Sequence, residues 1–450
     1  MYITQGLTDL WSRYIFINGN MARTLLAAHT ITGNQTYLDS GLNWCDSFVR
    51  LKNTIDLSTA SALATGENHT TGAWWDSGYG TIYFGDTGTA QQALGLCALK
   101  LPLGNERRAH YIEAMRQYAA FVQGGCVQHL MHHAHHHTSS VTDLVGKRRI
   151  MRSLGLSEAA IQAAFDVDYS GTTTRDTASS LECPPCADKL SSPMPCPGGI
   201  LKCPAKGGWI DESTGAIGDG WVDGQLTTKP YTCSTATTGA GSMGALAAVL
   251  RGAADCDGRL TNCSKEADIA QTVSFKAASF LMASVSSTGT VTGYNWNGDV
   301  ENRSSMGGVA YIVDGMVQAD IIGFTSKHPA AAEAMRLMAL DVAHQITDKG
   351  CWGVWGSTDQ MRSSRVATIL QWHERTFKSD PVVTAALARF VDFITSDRSL
   401  FNPATGSCAE QHGGFCLLNN TITTGMVGLA VADLLLFNST FAWGLPPIAT

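Results

Sequence analysis

Charge is what this sequence has least of. Asp, Glu, Lys and Arg make up 15% of its 450 residues, against roughly a quarter in typical soluble domains. The net charge is −7, and only Lys147, Arg148 and Arg149 form a basic cluster, so nothing here would track a nucleic-acid backbone. Long apolar runs are missing too. The longest, GMVGLAVADLLLF, is short and carries Asp433, which excludes a membrane-spanning helix. Period-two alternation is confined to short pieces such as GTIYF, and this excludes a sheet-based core. The N-terminal stretch MYITQGLTDLWSRYIFINGN has no basic segment followed by a purely apolar run. A secretory leader is therefore expected to have been removed or to precede it.

What is present replaces charge with other polar chemistry. Asn34, Asn68, Asn262, Asn302, Asn419 and Asn438 each open an N-x-S/T triplet without proline, and N-linked glycans on them would keep the surface wet. Thirteen cysteines in a loop-rich chain are those of an oxidising, extracellular setting, with one thiol left over after pairing.

Helical periodicity predicts helices near 20–30, 35–50, 88–100, 105–123, 240–255, 264–285, 308–324, 328–348, 364–378, 381–397 and 423–437. The connections between them alternate in length. TGNQ, LPLGN, TSKH and SDP are tight turns, whereas 51–87, 124–239, 286–307, 349–363 and 398–422 are long. In consecutive antiparallel helices this parity puts every long loop on one face. Helices entered from long loops begin with hydroxyl and small residues, as in TGTAQQALGL, TTGAGSMGALAA and SSMGGVAYIV. Ser and Thr suit N-caps, Thr89 with Gln92 has capping-box spacing, and Gly and Ala allow helix ends to crowd together. Partner helices such as ERRAHYIEAMRQYAAFV mix polar and apolar residues as a layer with one wet face does.

About six hairpins in an inner and an outer layer are thus expected, in one all-α domain over 1–450. In its architecture the chain resembles the (α/α)6 toroids, the six-hairpin glycosidase-like superfamily, which includes glycoside hydrolases, polysaccharide lyases and sugar epimerases. The resemblance implies a closed double ring and a carbohydrate substrate, but no motif fixes which one.

Residues 126–207 form a Cys-, His- and Pro-rich insertion. His129, His132, His133 and His136 would share one face of a helix and could hold zinc or copper. Gly124 and Gly125 weigh against a continuous helix, so no bound metal is expected. Cys183, Cys186, Cys196 and Cys203 are too unevenly spaced for a zinc knuckle and are expected in disulfides. Cys256 with Cys263 and Cys408 with Cys416 are each close enough to close a small loop. No cofactor is implied.

If the long loops share a face, they deliver aromatics and acids to it together. The first brings Trp74, Trp75, Asp76, Tyr79 and Asp86. The second brings Trp209, Asp211, Asp219, Trp221, Asp223 and Tyr231. The third brings Tyr294, Trp296, Asp299 and Glu301, the fourth Trp352 and Trp355, and the fifth Glu410 and His412. Tryptophan faces stack on pyranose rings, and two carboxylates supply the acid and the nucleophile or base of glycosidic cleavage. Asp76, Asp219, Asp223, Asp299 and Glu301 are the candidate catalytic acids. Trp74, Trp75, Tyr79, Trp209, Trp221, Trp296, Trp352 and Trp355 are the candidate contacts to an oligo- or polysaccharide.

Each feature also has a plainer explanation. Tryptophans can pin irregular loops, Asp86 can serve a helix start, and glycine-flanked acids can form turns. A lyase would use Tyr79, Tyr231, Tyr294 or His412 as its base, but the loops hold few arginines to neutralise an acidic sugar. A glycosylated, self-associating extracellular scaffold is the non-enzymatic alternative. His373 and Glu374 are expected either to line the pore or to form a buried hydrogen-bonded pair.

Overall fold

A computed structural model describes residues 15–51, 54–56, 68–70, 82–123, 210–211, 213–218, 220–222, 225–227, 230–252, 263–294, 300–301, 306–346, 360–377, 380–395, 428–432 and 434. Among them the chain is all-α. The helices in order are α1 (Ile15–Thr32), α2 (Gln35–Leu51), α3 (Phe84–Lys100) and α4 (Glu106–Gln123). Next comes α5, a continuous helix made of the turn Thr232–Ser234, the π-helical stretch Thr235–Ser242 and the α-helical stretch Met243–Gly252. Then follow α6 (Cys263–Ala283), α7 (Met306–Ile321), the one-turn α8 (Phe324–Lys327), α9 (Pro329–Gln345), α10 (Gln360–Phe377) and α11 (Pro381–Thr395). Residues 428–432 and 434 are also helical.

The tight turns behave as their residues require. Gly33 ends α1 with φ 68°, a left-handed conformation that costs glycine nothing. Asn34 then starts α2, its Oδ1 accepting the Thr36 N–H at 3.0 Å. Gly104, φ 77°, and Asn105 repeat the device before α4, where Asn105 Oδ1 accepts the Arg107 N–H at 2.9 Å. Asp380 caps α11 by accepting the Val382 N–H at 2.9 Å, with Pro381 as the first helical residue.

The first helices of successive hairpins lie side by side and run the same way. A β-carbon on Gly85 of α3 would lie 2.9 Å from the Cys233 sulfur, one on Gly88 2.7 Å from the Thr237 backbone, and one on Gly95 3.1 Å from Ala245 Cβ. The two helices therefore advance together. On the other side of α3, Gly19 of α1 abuts the backbone of Thr89 and Ala90, and Lys100 donates to Thr30 near the far ends. Gly315 of α7 is as close to α5, where a β-carbon would meet the Ala236 oxygen at 2.5 Å. Small residues at these starts are thus a packing requirement.

The second helices join one hairpin to the next. Arg107 of α4 pairs with Asp46 of α2 at 2.7 Å, and the buried Arg116 of α4 with Glu266 of α6 at 2.9 Å. Burial raises the Glu266 pKa, and Arg116 opposes the rise. A disulfide joins Cys45 of α2 to Cys97 of α3. Later in the chain, α7 packs on α10, and α10 on both α9 and α11. Gln371 of α10 donates to the Ala430 carbonyl at 3.2 Å, and Gly428 abuts Thr24 of α1. One hydrophobic core runs through nearly all of these helices.

Four helix starts lie well ahead of their expected positions, α1 at Ile15 and α10 at Gln360 instead of 20 and 364 among them. α3 begins at Phe84, so Thr89 is interior and no capping box forms. Thr89 Oγ1 bonds back to the Gly85 carbonyl, and Gln92 Nε2 reaches across to the Thr237 carbonyl at 3.1 Å. α5 likewise begins at Thr232, ahead of the expected 240. Of the expected disulfides, those at residues 183–203 and the partners Cys256, Cys408 and Cys416 lie outside the described residues, as does the whole insertion 126–207.

Candidate functional site

Short strand pairs gather where the long connections meet the helix starts. β1 (Thr54–Asp56) pairs antiparallel with β2 (Asn68–Thr70) within the first long connection. β3 (Ile82–Tyr83), immediately before α3, pairs with β4 (Gly220–Val222), which pairs with β5 (Gln225–Thr227) just before α5. The register sets Ile82 opposite Trp221 and Tyr83 opposite Gly220. The first and second long connections therefore meet over the starts of α3 and α5. β6 (Gly293–Tyr294) and β7 (Val300–Glu301) form a hairpin beside α7, with Gly293 opposite Glu301.

Of the predicted site residues, Trp221 lies in β4 and Glu301 in β7, and both are placed by backbone. Asp76, Asp219, Asp223, Asp299, Trp74, Trp75, Tyr79, Trp209, Trp296, Trp352 and Trp355 lie outside the described residues. So do the four histidines from His129 to His136. Asn34 is exposed in the α1–α2 turn and Asn68 lies in β2, whereas Asn262, Asn302, Asn419 and Asn438 lie outside the described residues.

Beneath the β3–β4–β5 sheet is a polar node that the sequence did not announce. Tyr118 of α4 donates to the Phe84 carbonyl at 3.1 Å, and Thr238 of α5 donates to the same oxygen. Tyr118 and Thr238 hydroxyls are themselves 3.1 Å apart. Burial pushes the Tyr118 phenol far above its usual range, so it stays a neutral donor. Thr235 ties the second connection to α5, accepting the Ile217 N–H at 2.9 Å and donating to the Tyr231 carbonyl at 2.9 Å. The π-helical stretch Thr235–Ser242 is buried throughout. Its wider turn is a geometry often found where a helix serves a site.

Asp211 holds its own loop. Its exposed carboxylate accepts the Ser213 N–H at 2.9 Å, the Ser213 hydroxyl at 2.6 Å and the Thr214 N–H at 3.3 Å. The bonds from Ser213 lower its pKa. It is a turn former. Asp86 lies in the first turn of α3, where a carboxylate suits the helix dipole.

Deeper between the helices, Arg23 of α1 meets Asp314 of α7 in a forked ion pair, at 3.2 Å and 3.4 Å, with both side chains fully buried. Asn20 accepts from the same guanidinium at 3.4 Å. Gln91 and Gln318 are buried polar residues of the flanking helices α3 and α7. His373 and Glu374 form no pair. His373 is buried, while Glu374 accepts from Thr384 of α11 at 2.6 Å.

Among the described residues no group of His, Cys, Asp and Glu is arranged to hold a metal ion, and no helix is long and apolar enough to cross a membrane. No protein-family model matches the chain, and no curated protein or solved structure is measurably similar to it.

Proposed function

We propose that the helical hairpins close an (α/α)6 ring and that the chain is a secreted carbohydrate-active protein, hydrolysing glycosidic bonds with loop carboxylates in an aromatic-lined cleft. The closed ring is supported by the order of contacts, α1 to α3 to α5 to α7 to α10 to 428–434, and by the return of Gly428 to Thr24 of α1. The observation that carries the functional reading is the pairing of Ile82 with Trp221. It brings the connection holding Trp74, Trp75 and Asp76 to the one holding Asp219 and Asp223, which flank β4 in sequence. Hairpin β6–β7 brackets Trp296 and Asp299 in the same way. Acids from two connections facing one cleft would cleave with retention at a separation of about 5 Å, or with inversion at a wider one. Secretion is supported by the Cys45–Cys97 disulfide and the exposed triplet at Asn34.

One observation favours the scaffold reading. Thr87, Thr89, Thr235, Thr237 and Thr238 at the starts of α3 and α5 are all buried, as in a face sealed by its own loops.

A screen of neutral and acidic oligosaccharides with the wild type and with Asp76→Asn and Asp299→Asn separates these. Cleavage by the wild type that both variants lose is the expected result. Binding without cleavage moves the protein to the carbohydrate-binding class, and neither binding nor cleavage leaves the scaffold.

A further inference from the structure

Near the end of α10, His373 is 1% exposed, and neither ring nitrogen has a hydrogen-bond partner among the described residues. Its ring lies against Phe377, one turn on, with centroids 5.3 Å apart, and the Phe377 ring in turn meets Trp372 at 5.5 Å. A neutral imidazole carries one N–H donor and one acceptor nitrogen. Buried polar atoms of this kind are nearly always satisfied in folded proteins, so this one lacks the support that would also hold a charge.

The charged groups around it have partners of their own. On its own helix, Glu374 accepts from Thr384. In the following turn, Asp380 caps α11. From α9, Arg336 is held by Glu333 through two bonds, at 2.8 Å and 2.7 Å. From α7, Asp320 accepts the Trp372 indole N–H at 2.7 Å. From α11, Arg389 donates to the Ile346 carbonyl at 3.5 Å. The described residues of 428–434 carry no charge.

We propose that His373 makes the α10–α11 hairpin acid-labile: one proton taken from solvent turns a sealed neutral ring into a cation with two N–H donors and no acceptor on either, and the end of α10 opens to hydrate it. Burial lowers the imidazole pKa, with Asp380 and Glu374 pulling it back and Arg336 adding to the fall. The folded chain thus binds this proton less readily than the unfolded chain. Stability is full above the ordinary histidine pKa of about 6.5. It declines as pH falls below that value, until the folded ring is charged as well.

Thermal unfolding of the full chain at about pH 7.5 and pH 5 tests this with His373→Phe, whose ring suits the Trp372–Phe377 environment. The midpoint of the wild type is expected to fall by about 1–3 °C more than that of the variant, and equal falls overturn the proposal. A second measurement uses the wild type alone. Hydrogen exchange of α10 peptides, corrected for the intrinsic effect of pH, is expected to speed up on acidification relative to peptides of α2 and α4. A uniform response along the chain overturns the proposal just as an unchanged variant difference does.

Discussion

Arg23 and Asp314 form an ion pair between α1, which packs mainly on α2 and α3, and α7, which packs mainly on α5, α6, α8 and α10. Neither side chain is exposed, so removing one charge leaves the other buried without its counter-charge. Asp314→Ala takes the opposing charge away from a buried guanidinium and is expected to lower unfolding stability by about 3–5 kcal/mol. Replacing both, as Arg23→Met with Asp314→Leu, is expected to recover most of that loss. Denaturant titration of the three chains checks it, and a mild Asp314→Ala would show that water reaches the pair.

Close approach at glycine makes a second prediction. Gly88→Ala and Gly315→Ala each place a β-carbon within about 3 Å of the α5 backbone. Each is expected to cost about 1–3 kcal/mol by forcing helices apart. At Gly244 the nearest atom, the Ser274 hydroxyl, is 3.2 Å away, so Gly244→Ala is expected to cost less than either. The order of the three melting midpoints tests the packing directly.

Disulfide Cys45–Cys97 closes a separation of 52 residues. The chain-entropy estimate for such a loop is about 4 kcal/mol, and Cys45→Ala with Cys97→Ala is expected to lose much of it. Peptide mass mapping without reduction is expected to find the two cysteines in one linked species. Both thiols alkylating freely in the native chain would exclude the bond.

Asn34 is exposed and caps α2 through its Oδ1, so its amide nitrogen stays open to an N-linked glycan. Asn34→Asp keeps the capping oxygen and removes that nitrogen. In protein from a secreting eukaryotic host, the variant is expected to lose one glycan in intact mass with its melting midpoint nearly unchanged. A mass differing only by the substitution itself would place Asn34 among unmodified triplets.

Helix by helix, periodicity located the fold well: α2, α4, α6 and α11 begin within a residue of where their patterns predict. α1, α3, α5 and α10 begin ahead of their periodic patterns, and in α3 and α5 the reason is that Gly85, Gly88, Thr232 and Thr235 have low helix propensity. There the helix is held by neighbours, and Gly85 and Gly88, which weaken α3 alone, are what let it touch α5. Arg23–Asp314 and Cys45–Cys97 were illegible for another reason. Nothing local marks which arginine or cysteine meets which partner when the choice is made by the packing of separate hairpins. At the candidate site, the meeting of the first two long connections was legible from loop parity, and the Tyr118–Thr238 node beneath it was not. A tyrosine on a helix of mixed polarity has no pattern that distinguishes a core contact from a loop support.

The shared direction of α1, α3 and α5 has an electrical side. Each α-helix carries the equivalent of about half a positive charge at its start, and the starts of α3 and α5 lie beside the sheet joining the first two long connections, with the first turns of α1 against α3. Their fields add there instead of cancelling. A carboxylate brought to that end is held as the anion, and a proton donor must be insulated from the field to remain one. Of two acids with similar sequence surroundings, set at different heights above the helix starts, the nearer would therefore be the stronger acid by up to about one pKa unit.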